Sequence, residues 1–216
     1  MFNFKTLAGA VVALGMSTLA SNAAVVDFTD SSAFSNGDLS EVIDGVLVTI
    51  SSSPAGLNFD DKVRVTDDAF CSDATFACDN DGAGIIDDEI SNPDGISQSI
   101  TVTFSRAVDI LSFGGLDLYA DDDGEVLIGV TDGGVMGAAT ATELFELGGN
   151  GDAFVVLDIN LSTSILFTVS TGNDALGVAD GSLSYIQFEA APIPLPAGVL
   201  LLGGALAGLG MMRRKS

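Results

Sequence analysis

The stretch Ser99-Ile100-Thr101-Val102-Thr103-Phe104 decides the fold class of this chain. Its side chains alternate strictly, because Ile100, Val102 and Phe104 fall on one face of an extended backbone and the two threonines on the other. Threonine, valine and isoleucine are β-branched and favour extended structure. The stretch therefore predicts a strand with one buried face and one face toward solvent.

Short runs of the same kind recur along the chain, separated by turns rich in Gly, Asp, Asn and Ser. We expect an all-β protein with a single β-sandwich or jelly-roll-like domain over residues 24–191. Residues Thr140–Leu147 are the one stretch with a helical or irregular pattern. The predicted strands are Val25–Thr29, Gly45–Ser51, Lys62–Thr66, Ser99–Phe104, Val108–Phe113, Leu116–Tyr119, Glu125–Val130, Phe154–Leu157, Ser164–Ser170 and Ser182–Glu189.

The charge of the chain is strongly acidic and unevenly placed. The 216 residues include 30 Asp and Glu, all between Asp27 and Glu189, against 7 Lys and Arg, for a net charge of −23. The predicted domain holds three of the basic residues and carries −27. Such a polyanion repels phosphates, which excludes nucleic acid as a partner. The chain also lacks His and Trp, so the commonest general base and zinc ligand is absent.

Residues 1–23 have the three-part pattern of a secretory signal peptide. Lys5 supplies the positive charge, and Leu7–Leu19 is a run of apolar and small residues. Ser21 and Ala23 are small side chains at the two positions that define a cleavage site after Ala23. The alternative, a membrane anchor, is disfavoured because the run is shorter than the ~20 residues that span a bilayer. We therefore expect an exported mature chain.

The C-terminal end has a different three-part pattern. Residues 192–198 contain three prolines, which predict an extended spacer rather than the interior of a helix or strand. Residues 197–212 contain no charge and predict a single transmembrane helix about 24 Å long, somewhat less than the ~30 Å hydrocarbon layer. The basic tail, residues 213–216, would stay in the cytoplasm, so the acidic domain would face outward.

This tail resembles the PEP-CTERM class of sorting signals, in the variant named for the motif Val-Pro-Leu-Pro-Ala. Ile193 stands where that motif has Val. The resemblance implies a Gram-negative bacterium, an inner-membrane-tethered precursor and an exosortase-like enzyme that cleaves at the motif and delivers the domain to the cell surface or the medium. A plain single-pass anchor is the alternative. The residues that carry the resemblance are the sorting motif Ile193, Pro194, Leu195, Pro196, Ala197 and Gly198 and the basic stop Arg213, Arg214 and Lys215.

Cys71 and Cys78 are the only cysteines of the chain. An exported chain enters an oxidising compartment, where an even pair of cysteines forms a disulfide. The closed loop is short, so the bond would fix a loop rather than hold the whole fold. A metal role for two thiols without any His is disfavoured.

Two acidic clusters are the candidates for a metal site. Calcium prefers closely spaced oxygen ligands with a glycine that bends the backbone between them. The first cluster, which contains Asp79, Asp81 and Asp88, does not match the calcium loop of an EF-hand. In that alignment the first ligand position falls on Ala77, and the last position is Asp88 where Glu is usual. A looser calcium loop, solvated acidic turns and the composition of a high-salt habitat stay open as alternatives. The candidate calcium ligands are Asp79, Asp81, Asp88, Asp121 and Asp123.

No catalytic motif is present in the sequence. Without His, a serine hydrolase would need a Ser–Lys pair, and the only Lys of the predicted domain is Lys62. Glycosidase chemistry with two carboxylates stays formally open. We predict that the chain is not an enzyme and has a structural or adhesive role at the cell surface or in the extracellular matrix. The alternatives are a calcium-dependent carbohydrate-binding module and a hydrolase of surface polysaccharide, both with extracellular polysaccharide as the partner.

Overall fold

The computed structural model describes residues 23–59, 71, 75–86, 89–91, 98–120, 125–142, 151–157, 161–169, 181–191 and 205–206. Within these ranges the chain is all-β with a single sheet-rich fold, which confirms the predicted fold class at that level. The described strands are β1 (Ala24–Asp27), β2 (Ser40–Ile43), β3 (Val46–Ser53), β4 (Leu57–Asn58), β5 (Gly84–Ile85), β6 (Ser99–Leu116), β7 (Val126–Thr131), β8 (Gly134–Thr140), β9 (Asp152–Val156), β10 (Leu161–Val169) and β11 (Tyr185–Ala190).

Strand β6 is the centre of the sheet, and its 18 residues pair with four other strands. Its first part, up to Phe104, lies between β3 and β10, and its last part, from Ser112, lies between β11 and β9. Between these parts the register against β10 shifts, and β6 carries the extra residues. Extra residues on one strand bend it and increase its twist. Strand β6 therefore belongs to two groups of strands.

The first group has the order β2-β3-β6-β10-β7-β8, and the second has the order β1-β11-β6-β9. All described strand pairs are antiparallel, and β4 and β5 form a separate two-stranded sheet. Phe104 of the first group packs on Phe188 of β11 with ring centroids 5.4 Å apart. Phe113 of the second group packs on Phe167 of β10 at 5.0 Å. The inner faces of the two groups therefore share one core.

The alternation of buried apolar and more exposed polar side chains predicted for Ser99–Phe104 is confirmed in β6. Ile100 and Val102 are fully buried and Phe104 is 2% exposed, whereas Thr103 is exposed. Burying a side chain of this size contributes about 1.5–3 kcal/mol, so this face fixes the register of β6. A slip of one residue would exchange the buried apolar face for the threonines.

Several strand predictions need correction. The separate strands predicted at Ser99–Phe104 and Val108–Phe113 are one strand, because the bulge bends β6 without ending it. The strand predicted at Leu116–Tyr119 is wrong, because Asp117 takes a positive φ of 59° and β6 ends there. The predicted Lys62–Thr66 strand lies outside the described residues, as does most of the irregular stretch 140–147, whose first residue ends β8.

Four described strands were not predicted: β2, β8 and the two-residue strands β4 and β5. Strand β2 pairs with β3 through a two-residue turn, in which Asp44 and Gly45 both take positive φ, 48° and 70°. Positive φ at both central residues is the requirement of a type I′ hairpin turn, for which Asp-Gly is a preferred sequence. Strand β8 contains two Gly and two Ala, which have low β-propensity, so its position is set by pairing with β7.

Candidate functional site

The predicted disulfide is confirmed. Cys71 and Cys78 are bonded, with their Cα atoms 5.9 Å apart, and the chain has no free cysteine. We name Cys71 together with residues 75–82 the disulfide loop. This segment lies against the second group of strands. It contains both cysteines and two of the candidate calcium ligands, so it is the described segment with the most predicted site residues.

The disulfide loop is held at the end of β1 by buried and partly buried polar groups. Asp27 accepts hydrogen bonds from the backbone N–H of Thr29 at 3.0 Å, from its hydroxyl at 2.6 Å and, through its other oxygen, from the N–H of Ala77 at 2.8 Å. The Thr29 hydroxyl accepts from the N–H of Cys78 at 2.9 Å. The Thr29 carbonyl accepts from the N–H of Asp79 at 3.0 Å. Asp27 and Thr29 thus satisfy three consecutive amides of the loop.

The two described calcium candidates, Asp79 and Asp81, are placed differently. Asp79 is exposed, and its Oδ2 accepts a hydrogen bond from the hydroxyl of Ser31 at 2.9 Å. The backbone carbonyl of Asp81 accepts from the hydroxyls of Ser182 and Ser184, both at 2.6 Å. Within the described ranges, no three side chains of the metal-binding types come together, and Asp88, Asp121 and Asp123 lie outside those ranges. The calcium site stays a prediction.

Asn80 and Gly82 shape the turn at the end of the loop, and neither was among the predicted site residues. Asn80 is only 3% exposed, and its Oδ1 accepts from the N–H of Gly82 at 2.8 Å, which closes an Asx turn. Gly82 has a φ of +125°, and a Cβ there would collide with the carbonyl of Leu183. Ala83 then exchanges backbone hydrogen bonds with Leu183 at 2.9 and 3.0 Å. The Asn-Asp-Gly sequence was the available signal for this turn.

Beneath the disulfide loop lies an aromatic contact on the outer face of β11. The rings of Phe76 and Tyr185 are 5.1 Å apart, and Tyr185 is directly opposite Gly114 of β6, which leaves room for its ring. Burial raises the pKa of Tyr185, and the charge of Asp152 adds to the rise, whereas a hydrogen bond with Ser112 acts against it. The Tyr185 phenol therefore stays neutral at physiological pH, and its ring packs against Phe76 of the loop.

Two carboxyl groups near this end of the sheet have shifted pKa values. The pKa of Asp30 is lowered, chiefly by the hydroxyl of Ser32, which donates at 2.6 Å; partial burial opposes the shift, and the backbone amides of Ser32 and Ala33 favour it. The pKa of Glu41 is raised by burial and by the neighbouring charges of Asp30 and Asp38. Burial and the neighbouring acids thus disfavour the ionised form of Glu41.

The predicted sorting residues lie outside the described ranges. These are the sorting motif 193–198 and the basic stop Arg213, Arg214 and Lys215. In the part of the chain that the structure describes, no helix has both the length and the apolar character needed to cross a membrane. Residues 1–22 of the predicted signal peptide, the spacer 192–198 and all of the predicted helix 197–212 except 205–206 likewise fall outside it. These assignments stay predictions from the sequence.

The described polar groups of the site mainly hold the loop in place. Asp27, Thr29, Ser182 and Ser184 each make at least one hydrogen bond to a backbone atom of the loop. Comparison of the chain with models of known families, with curated proteins and with solved structures found no match. The function is therefore inferred from the residues of this chain alone.

Proposed function

We propose that this chain is an exported cell-surface or extracellular-matrix protein with a structural or adhesive role. In this proposal an exosortase-like enzyme processes a C-terminal sorting signal of the PEP-CTERM class, and the delivered part is an acidic β-sandwich. The proposal combines the predicted segments 1–23, 192–198, 197–212 and 213–216 with a folded domain over residues 24–191. It assigns no catalytic residue to this chain.

One observation carries the proposal: the strands begin and end where the predicted processing segments meet the domain. Strand β1 begins at Ala24, directly after the predicted cleavage site, and β11 ends at Ala190, two residues before Pro192. The two strands are antiparallel neighbours, with Ala24 opposite Phe188. Both predicted appendages therefore leave the domain at the same end. Their removal would leave every pair of this register intact.

The disulfide supports export. Disulfides persist in oxidising compartments outside the cytoplasm, and the Cys71–Cys78 bond uses both cysteines of the chain. The acidity of the domain supports an exposed role, because a net charge far from zero keeps a protein soluble and discourages nonspecific association. The acids end at Glu189, before the predicted spacer begins.

The sandwich arrangement is supported by the way the two groups of strands share β6. A long strand that bends at a bulge commonly passes from one sheet of a sandwich to the other. The pairs Phe104–Phe188 and Phe113–Phe167 join inward-facing side chains from both groups. A sandwich with its core between these groups accounts for both aromatic contacts.

Intact-mass spectrometry of the native protein, isolated from the cells and from their medium, tests the sorting. The expected mature form lacks residues 1–23 and everything after a cleavage within the sorting motif 193–198. Replacing Arg213, Arg214 and Lys215 with Gln should leave an unprocessed precursor. Asp132→Asn, in the exposed β7–β8 turn, is the control and should not change processing. A wild-type mature form that still carries Met211 and Met212 rejects proteolytic sorting and leaves a plain anchor.

A further inference from the structure

Strand β9 is at an edge of the described sheet. Among the described strands it pairs with β6 only, over Asp152–Val156. Just beyond its two ends, the carbonyl of Gly151 accepts from Leu118 of the β6 side at 3.4 Å, and the N–H of Leu157 donates to Leu111 of β6 at 2.7 Å. Because the backbone direction alternates along a strand, the odd-numbered residues of β9 face β6. The N–H and C=O of Phe154 and Val156 therefore point away from β6, toward the unpaired edge.

The side chains of the same two residues are solvent-exposed. Phe154 is 65% exposed and Val156 is 76% exposed. They point to one face of β9, about 6.8 Å apart, which is the distance between alternate residues of a strand. Leu161, the first residue of β10, is also exposed, at 69%. We name the backbone edge formed by Phe154 and Val156, which no described strand pairs, together with their side chains, the β9 edge.

Within the described residues, no lysine, proline, bulge or covering segment blocks β9. Natural edge strands are usually blocked by lysine, by proline, by a bulge or by a covering segment. Strand β9 reads Asp-Ala-Phe-Val-Val, and its register against β6 is regular over all five residues. An unpaired backbone edge beside exposed apolar side chains is the surface that binds an extended peptide as an additional strand.

The charge of the chain selects the kind of strand that fits. No Lys or Arg occurs between Arg106 and Arg213, and the whole chain carries −23. A second copy would bring the same negative charge and would be repelled, whereas a positively charged strand would be attracted. A polysaccharide has no row of amide N–H and C=O groups at the spacing of a strand, so it would leave the backbone groups of the β9 edge unpaired.

We infer that the β9 edge binds an extended, positively charged segment of another protein by strand addition. The backbone of Phe154 and Val156 would pair with the segment, and alternate apolar side chains of the segment would cover their exposed side chains. This inference deepens the adhesive role proposed above and rests on it. Its failure is distinguishable from failure of the sorting proposal, because sorting is measured by mass and strand addition by binding.

The test uses the mature protein isolated from the producing cells and three synthetic peptides of about nine residues. The first alternates lysine and valine, the second alternates glutamate and valine, and the third is the lysine–valine peptide with alternate backbone amides methylated. We expect the first to bind at least roughly tenfold more tightly than the other two, and more weakly as salt is added. Equal binding of the first and third peptides, or no binding of the first, would overturn strand addition.

Amide hydrogen exchange and a matched pair of variants locate the site. Binding of the lysine–valine peptide should slow exchange at Phe154 and Val156 by roughly tenfold or more and leave Val155, which faces β6, unchanged. Val156→Lys should weaken binding by about tenfold or more. Val135→Lys, on β8 at 71% exposure, adds the same charge and should not weaken it. Equal effects of the two variants, or dimerisation of the protein through β9 without peptide, would overturn the inference.

Discussion

Replacing Thr29 with valine should release the disulfide loop from the sheet. Thr29 is fully buried, and its hydroxyl donates to Asp27 at 2.6 Å and accepts from the N–H of Cys78 at 2.9 Å. Valine is close to threonine in shape, so the main change is the loss of both hydrogen bonds. A bond to a charged group contributes about 1.5–3 kcal/mol and a neutral one about 1 kcal/mol. The Thr29→Val protein should lose about 2–4 kcal/mol in its free energy of unfolding.

Urea denaturation of the mature protein measures this loss, and the thermal midpoint should fall by on the order of 10 °C. Thr103→Val is the matched control, because Thr103 is an exposed threonine of β6. The control should change the free energy of unfolding by less than about 0.5 kcal/mol. If Thr29→Val costs no more than Thr103→Val, Thr29 does not anchor the loop and the hydrogen-bond account is refuted.

The disulfide offers an independent check of the same account. Replacing Cys71 and Cys78 with serine opens a loop with a sequence separation of 7, which costs about 2.5 kcal/mol in the chain-entropy description. If Thr29 acts on the same loop, the losses should not add: the combined variant should lose less than the sum by about 0.5 kcal/mol or more. Additive losses would mean that Thr29 and the disulfide stabilise separate parts of the fold.

Three further predictions concern single groups. Gly82→Ala should lower the free energy of unfolding by about 2 kcal/mol or more, because its φ is +125° and its Cβ would meet the carbonyl of Leu183; an unchanged thermal midpoint would contradict this geometry. In an absorbance titration, the phenol of Tyr185 should ionise above pH 10.0 and stability should fall as pH rises through that range, a loss that Tyr185→Phe removes. Burial and the nearby Asp30 raise the pKa of Glu41 above 4.5, so its ionised form opposes folding. Glu41→Gln should therefore stabilise the protein at neutral pH and have no effect below about pH 4, which urea denaturation at both pH values would measure.

Local patterns predicted the strands whose two faces differ. Ile100, Val102 and Phe104 lie on the buried face of β6. The burial of this one face accounts for the alternation of apolar and polar residues in the sequence. Strand β8 has no such contrast, because Gly and Ala dominate it and its place depends on pairing with β7. The hairpin between β2 and β3 had a local signal, the Asp44-Gly45 pair, which the sequence interpretation did not use.

The site was predictable only in its covalent part. The Cys71–Cys78 bond was predicted from the two cysteines of a chain expected to be exported, and it is confirmed. The docking of the loop is not local: Ala77 bonds to Asp27 across 50 positions, and Cys78 bonds to Thr29 across 49. No periodicity or spacing encodes such a contact, because it forms only when β1 and the loop are brought together by the sheet. The β9 edge was missed for the same reason, since a strand is at an edge only relative to the others.

The register of the sheet determines the end of the domain from which the proposed C-terminal spacer and membrane helix would extend. Strand β11 runs from Tyr185, beneath the disulfide loop, to Ala190, beside the predicted spacer, over about 17–20 Å. Strand β9 is antiparallel to β6, as β11 is, so β9 and β11 run in the same direction. Under the proposed sorting, the disulfide loop is therefore at the end of the domain away from the attachment point, and the β9 edge extends along its side. A strand added to that edge would lie along the domain and could approach without contacting the tether.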